Sequence, residues 1–194
     1  MPKKPQVVEV GCGTGFFLER LKGLGITNVW GVEPGKAMVN QAPGWLKRRI
    51  HPGLFKRGLF PPNRFDLICC FHTLDHLVSP RTFIKESYRI LKPGGLIMIV
   101  VHDSQGWSVK LWGERSPIFD IEHIYLFDKK NLSTVFKRDK FEIIDVFDLV
   151  NTYPLEYWLK MSGLPSWLKH AGLLAKLPVS LKGGNIALVA RKPR

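Results

Sequence analysis

Three groups of residues in this 194-residue chain have the types and spacing for chemistry. The first is Glu9-Val10-Gly11-Cys12-Gly13-Thr14-Gly15, three glycines in five positions behind an acid. Glycine tolerates positive φ and lets a ligand approach the backbone closely. The second is Glu33, eighteen positions after Gly15, whose carboxylate can accept both hydrogen bonds of a ribose diol, the nucleoside half of a cofactor site. The third is His72-Thr73-Leu74-Asp75-His76-Leu77, and separately His123 in the long stretch 102–127. An imidazole titrates near neutral pH, which makes His123 the first candidate for a general base, with a histidine that orients its loop as the equal alternative. His72 and His76 with Asp75 between them resemble part of a metal site, but the stretch lacks a third ligand, so no metal is expected.

The elements that must position these groups follow from the hydrophobic pattern. Val7 to Val10 reads as a strand, and Phe17, Leu18, Leu21 and Leu24 as the apolar face of a helix whose free N–H groups point back at the glycines. Asn28 to Val32 is a second strand that delivers Glu33 to its carboxyl edge. A helix over 35–47 ending near Pro43-Gly44 and a third strand around Ile50 to Phe55 follow. Phe65 to Phe71 is almost continuously apolar, as a central parallel strand covered on both faces requires. Its end carries the His72–Leu77 cluster. Ser79-Pro80 opens a helix that Lys92-Pro93-Gly94-Gly95 terminates, and Leu96 to Val101 is the fifth strand. A long connection, 102–127, contains His123; loops of that length in compact domains are commonly functional. A helix over Lys129 to Asp139 and strands over Phe141 to Val150 and Asn185 to Ala190 complete the pattern.

Four motifs in order, Glu9 to Gly15, Gly31-Val32-Glu33-Pro34, Phe65-Asp66-Leu67-Ile68 and Leu91-Lys92-Pro93-Gly94-Gly95, resemble the class I S-adenosylmethionine-dependent methyltransferases of the small-molecule type. The resemblance runs from about residue 6 to the C-terminus. It implies one α/β domain over 1–194, a Rossmann-like doubly wound sheet of seven strands, mostly parallel, with an antiparallel last strand between the fifth and sixth. It implies S-adenosyl-L-methionine as cofactor and Glu9, Gly11, Cys12, Gly13, Gly15, Glu33, Pro34, Leu54, Phe71 and His72 as its contacts. His123, His76 and Asp75 are then the candidate catalytic residues facing the acceptor, although Asp75 or His76 could equally cap the helix after Ser79. Two departures stand out. Family members often place an Asp after the third strand to accept from adenine, whereas Gly53-Leu54-Phe55-Lys56-Arg57 has no acid, a loss of about tenfold to a hundredfold in affinity. They also usually carry a helical segment ahead of the first strand, where only Met1 to Gln6 stand, so an N-terminally truncated chain is expected.

Composition narrows the class. Hydrophobic residues make up 45% of the chain, which excludes wholesale disorder. No leader or apolar run long enough to cross a bilayer is visible, and Cys12, Cys69 and Cys70 lack metal spacing, so buried thiols in a cytoplasmic protein are expected. Charge is uneven: residues 1–64 carry +8, residues 65–150 carry −1 and residues 151–194 carry +6. An anionic partner and solubility both explain such an excess. Residues 151–184, with Tyr153, Tyr157, Trp158, Trp167, Pro154, Pro165 and Pro178, read as a helical, aromatic-rich insertion that is a packed subdomain, a lid over a greasy acceptor or a peripheral membrane contact. The expected acceptor is therefore a small molecule, hydrophobic or anionic. Nucleic acid is disfavoured, since no Asn-Pro-Pro-Tyr-type motif is present. A non-catalytic S-adenosylmethionine-binding module remains the alternative. A nicotinamide-dependent oxidoreductase is disfavoured because Phe16 occupies the last glycine of Gly-x-Gly-x-x-Gly.

Overall fold

Val7–Val10 (β1) is buried along its whole length because it lies in the middle of the sheet, with parallel neighbours on both sides. The computed structural model describes residues 2–116, 118–119, 123–161 and 175–194. After β1 come Phe16–Gly23 (α1), Val29–Glu33 (β2), Lys36–Gln41 (α2), Gly44–Lys47 (α3), Ile50–Pro52 (β3) and Phe65–Phe71 (β4). A 3-10 turn, Leu74–His76, precedes Pro80–Ile90 (α4) and Leu91–His102 (β5). Trp107–Trp112 (α5), Lys129–Arg138 (α6), Glu142–Pro154 (β6), Leu155–Met161 (α7) and Pro178–Arg191 (β7) finish the order. The seven strands run β3-β2-β1-β4-β5-β7-β6, with β7 antiparallel to both β5 and β6. This is the doubly wound sheet expected from the sequence. Among the described residues no helix is long and apolar enough to cross a membrane.

Period-two alternation divides the core between the faces of the sheet. Val7, Val29, Leu18, Leu46, Ile50 and Cys69 pack on one side, and Val8, Val10, Val32, Ile68, Cys70, Phe83 and Phe136 on the other. The vicinal cysteines thus face opposite ways, as strand geometry demands. Ser79 caps α4 by accepting from the Thr82 amide, with Pro80 at the first helical position. That role therefore falls to neither Asp75 nor His76. Asp128 and Asn131 form a reciprocal capping box on α6.

Several boundaries differ from the sequence reading: β5 already begins at Leu91, and β7 runs from Pro178 to Arg191. The helix expected over 35–47 is two short helices, because Ala42 turns extended ahead of Pro43. The third strand stops at Pro52, since Gly53 adopts φ 152°. The stretch 151–184 is helical over Leu155–Met161, but its two ends extend the β6–β7 ladder from Asn151↔Leu181 to Pro154↔Pro178. Trp167 and Pro165 lie outside the described residues. Asp66 serves the fold: its Oδ2 accepts from the Gln6 amide and from Lys92 Nζ, both at 2.8 Å.

Candidate active site

The bend after β1 is held open by backbone geometry. Gly11, Gly13 and Gly15 have φ of 77°, 53° and 83°, a region that strains any residue with a Cβ. The amides of Gly11 and Cys12 both donate to the Val32 carbonyl, which fastens the bend to β2. Glu33 closes the cradle: its Oε2 accepts from the Gly13 amide at 2.9 Å and its Oε1 from the Gly35 amide at 2.7 Å. The acid thus turns toward the bend, as a ribose-binding carboxylate there must. A Cβ on Gly13 would meet nothing within 4 Å, so the cradle opens in that direction.

Glu9 lies beneath the bend, buried, and its Oε2 has no hydrogen-bond partner among the described residues. Burial, then the charge of Glu33, pushes its carboxyl up to about 8. A buried acid in that state is a receptor for positive charge. Cys12, expected as a cofactor contact, turns inward instead. A Cβ on Gly31 would lie 2.5 Å from Cys12 Sγ, so the thiol occupies the space that glycine leaves, and burial raises its pKa to about 12. Its side chain is packing. Pro34 and Leu54 stand exposed beside Glu33, where the Gly53 amide donates to the Glu33 carbonyl. Phe71 is set edge-on to Phe17, with ring centroids 4.9 Å apart.

Four imidazoles line up outside the carboxyl ends of β4 and β5. His72 and His102 are 4.9 Å apart between ring centroids, His102 and His123 4.8 Å, and His123 and His76 4.7 Å. His72 holds φ 47°, a left-handed conformation costly for a non-glycine residue and fixed by its amide bond to the Val100 carbonyl. Burial lowers the pKa of His72 and of His102, in His72 assisted by the neighbouring His102. Asp75 is 1% exposed beneath the row. The long connection reaches this cluster because Asp103 bridges to Phe127 and the Ile124 and Tyr125 amides both donate to the Asp75 carbonyl. His123 is thereby set beside His76, 47 positions earlier in the chain.

The structure therefore brings together two sets: Glu9, Gly11, Gly13, Gly15 and Glu33 in one, and His72, Asp75, His76 and His123 in the other. Sequence reasoning missed His102. The signal was its position directly after the apolar run of β5, at the same sheet edge as His72. Glu122, the acid next to His123 in the sequence, lies outside the described residues.

A family model described as a methyltransferase domain matches residues 1–146. Over 122 residues the chain is 30% identical to the tRNA U34 carboxymethyltransferase of Idiomarina loihiensis, a match covering 57% of this chain and 37% of that protein. Over 98 residues it is 34% identical to the ubiquinone biosynthesis O-methyltransferase of Colwellia psychrerythraea, covering 47% and 39% respectively. The matches thus span well under half the length of those relatives. Among solved structures, a SAM-dependent methyltransferase from Archaeoglobus fulgidus superposes with a TM-score of 0.66 at 19% identity, over 98% of this chain and 87% of that one. The glycine bend clasped by Glu33, the seven-strand order and the match over residues 1–146 agree: the chain belongs to the methyltransferase-domain family, whose cofactor is S-adenosylmethionine.

Proposed function

We propose that the protein transfers a methyl group from S-adenosylmethionine to a small-molecule acceptor. The observation that carries this reading is the clasp of the glycine bend by Glu33 above the buried, unpartnered oxygen of Glu9. Glu33 would hold the ribose hydroxyls, Gly11, Gly13 and Gly15 would admit the methionine portion, and Glu9 would support its ammonium group through the bend. Leu54 and Phe71 would supply apolar contact, and His72 the boundary toward the acceptor. When bound, S-adenosylmethionine supplies a methyl carbon on a sulfonium, an already activated leaving group.

What remains for the protein is alignment and removal of one proton. Positioning alone can supply roughly 7 to 11 kcal/mol. The proton of the acceptor falls to Asp75, His76 and His123, with His123 the first base.

The side of the acceptor is suggested by a cleft of about 680 Å³ just beyond β5, lined by Asp103, Trp107, Lys110, Lys129, Lys130 and Lys182 among others. Lys129 is committed to Asp148 at 2.6 Å, whereas Lys110, Lys130 and Lys182 have no ion pair among the described residues. Trp107 approaches Trp158, which packs on Tyr153 and Tyr157. Lysines beside aromatic rings suit an acceptor with an anionic group and an apolar body. A tRNA methyl acceptor is the competing reading, favoured by the carboxymethyltransferase relative and by the net charge of +13.

Calorimetric titration with S-adenosylmethionine, followed by mass spectrometry of candidate acceptors, tests the proposal. Micromolar binding and methylated small-molecule product are expected. Failure to bind overturns it, and binding without turnover on any acceptor supports the non-catalytic module instead. Salt-sensitive tRNA binding with methyl incorporation would replace the small-molecule reading.

A further inference from the structure

Asp75, His76 and His123 each present one ligand-type atom to a common space, and the three atoms lie within 4.8 Å of one another. Two come from the 3-10 turn after β4 and one from the far end of the connection after β5. Asp75 is 1% exposed, and neither carboxylate oxygen accepts a hydrogen bond among the described residues. His76 Nε2 stands 3.9 Å from Asp75 Oδ1, beyond hydrogen-bond range. Buried carboxylates are ordinarily satisfied by hydrogen bonds, by close ion pairs or by metals. Of these, the neighbourhood of Asp75 is built for the third.

We propose that Asp75, His76 and His123 bind one divalent transition-metal ion of the zinc class. Two imidazole nitrogens and one carboxylate oxygen form a borderline donor set, which suits zinc, cobalt, nickel or ferrous iron; magnesium and calcium take oxygen ligands. A tetrahedral zinc with bonds of roughly 2.0–2.1 Å sets its ligands about 3.3 Å apart, so the three side chains need only close inward by rotation. The backbone already holds the two halves of the chelate together, because the Ile124 and Tyr125 amides bond to the Asp75 carbonyl at 3.0 and 3.1 Å. His102 stands behind as an outer partner, its ring against that of His123 and its side chain hydrogen-bonded to Asn185. Asp75 is buried while His76 and His123 are half-buried, which leaves the fourth position on the open side.

The site changes how the acceptor would be handled, a consequence that rests on the function proposed above, whereas metal binding itself does not. A ligated imidazole nitrogen has no lone pair for a proton. In the loaded protein Asp75, His76 and His123 therefore do not act as bases; the cation would lower the proton affinity of an acceptor oxygen at its open position, and the proton would pass to solvent water on that open side.

The test uses the whole protein, stripped with a chelator and then dialysed against zinc or cobalt(II). One equivalent of zinc by elemental analysis, with visible cobalt(II) absorption from a four- or five-coordinate site, is expected. H76A and H123A should each weaken zinc binding at least about a hundredfold, beyond the 10–100-fold that loss of an outer partner costs. H51A, which removes an imidazole on β3, should leave it unchanged. Retained binding of S-adenosylhomocysteine by H76A and H123A shows that they are folded. Less than one equivalent of metal, or zinc affinity unchanged in either H76A or H123A, overturns the site. Zinc uptake without cofactor binding would remove the proposed function and leave the metal site standing; cofactor binding without zinc uptake would do the reverse.

Discussion

Gly13 donates its amide hydrogen to Glu33 Oε2 at 2.9 Å, so the bend after β1 and the acid ending β2 are one unit. The other oxygen of the same carboxylate holds the Gly35 amide at 2.7 Å. Glu33 therefore shapes the cradle before any ligand arrives. Glu33→Ala should weaken S-adenosylhomocysteine binding at least about tenfold, the loss of one to two charge-assisted hydrogen bonds. Calorimetry showing unchanged affinity would refute the assignment.

The glycines of the bend should respond differently to alanine. A Cβ on Gly11 would sit 2.1 Å from Thr73 Oγ1 and one on Gly15 2.2 Å from a Leu46 methyl, whereas one on Gly13 would meet open space. Gly11→Ala should destabilise the fold by about 2 kcal/mol or more through overpacking and strain. Gly13→Ala should cost only about 1 kcal/mol, yet reduce cofactor affinity, since its methyl enters the cradle. Urea melts and calorimetry on the two variants separate these effects. Equal stabilities would show that the Thr73 contact is not limiting.

Glu9 makes stability and binding depend on pH in opposite directions. Its folded carboxyl titrates at about 8, raised by burial first and Glu33 second, against an ordinary value near 4.5. Between those values the folded, ligand-free protein holds a proton that the unfolded chain has released. Stability therefore falls as pH rises through that window, by roughly 3 kcal/mol at pH 7. A cationic ligand favours the carboxylate and expels the proton, so its affinity should rise by up to about tenfold per pH unit below pH 8. Urea melts at pH 5 and 8 check the first effect, and Glu9→Gln should flatten the profile. Calorimetry in two buffers of different ionisation enthalpy checks the proton release.

His72 and His102 act at the acid end. Burial holds both below the ordinary imidazole value near 6.5. Below that pH the unfolded chain binds protons that the folded state refuses. Stability should thus decline as pH drops from about 6.5 to 5, by at most about 1.4 kcal/mol per pH unit for each group. His102→Asn should shallow the slope. An unaltered slope would show that His102 does not carry it.

The sheet was legible because its strands announce themselves locally. Phe65–Phe71 has the bounds read from its apolar run, and Ser79-Pro80 marks the start of α4 to the residue. The cradle was legible for a related reason, since glycines at positive φ and an acid at a strand end are local requirements. The inward turn of the Cys12 thiol was not legible, because whether a side chain faces outward or fills the space beside Gly31 depends on a neighbouring strand. The row of imidazoles was the least visible. It joins residues 72, 76, 102 and 123, which the backbone bonds of Ile124 and Tyr125 to Asp75, together with the Asp103–Phe127 bridge, bring into register. Convergence of four residues across 51 positions leaves no periodic trace in a sequence.

The seating of β7 between β5 and β6 dictates an order of assembly. Ile186, Ala187, Leu188 and Ala190 are fully enclosed there, and their partners on both sides are made earlier in synthesis. While the chain emerges from the ribosome, β5 waits with one bare edge and β6 has no strand to pair with. The sheet closes only once β7 has been made, so the nascent protein passes through a stage in which the edge of β5 is open and an intruding strand could take the vacant place.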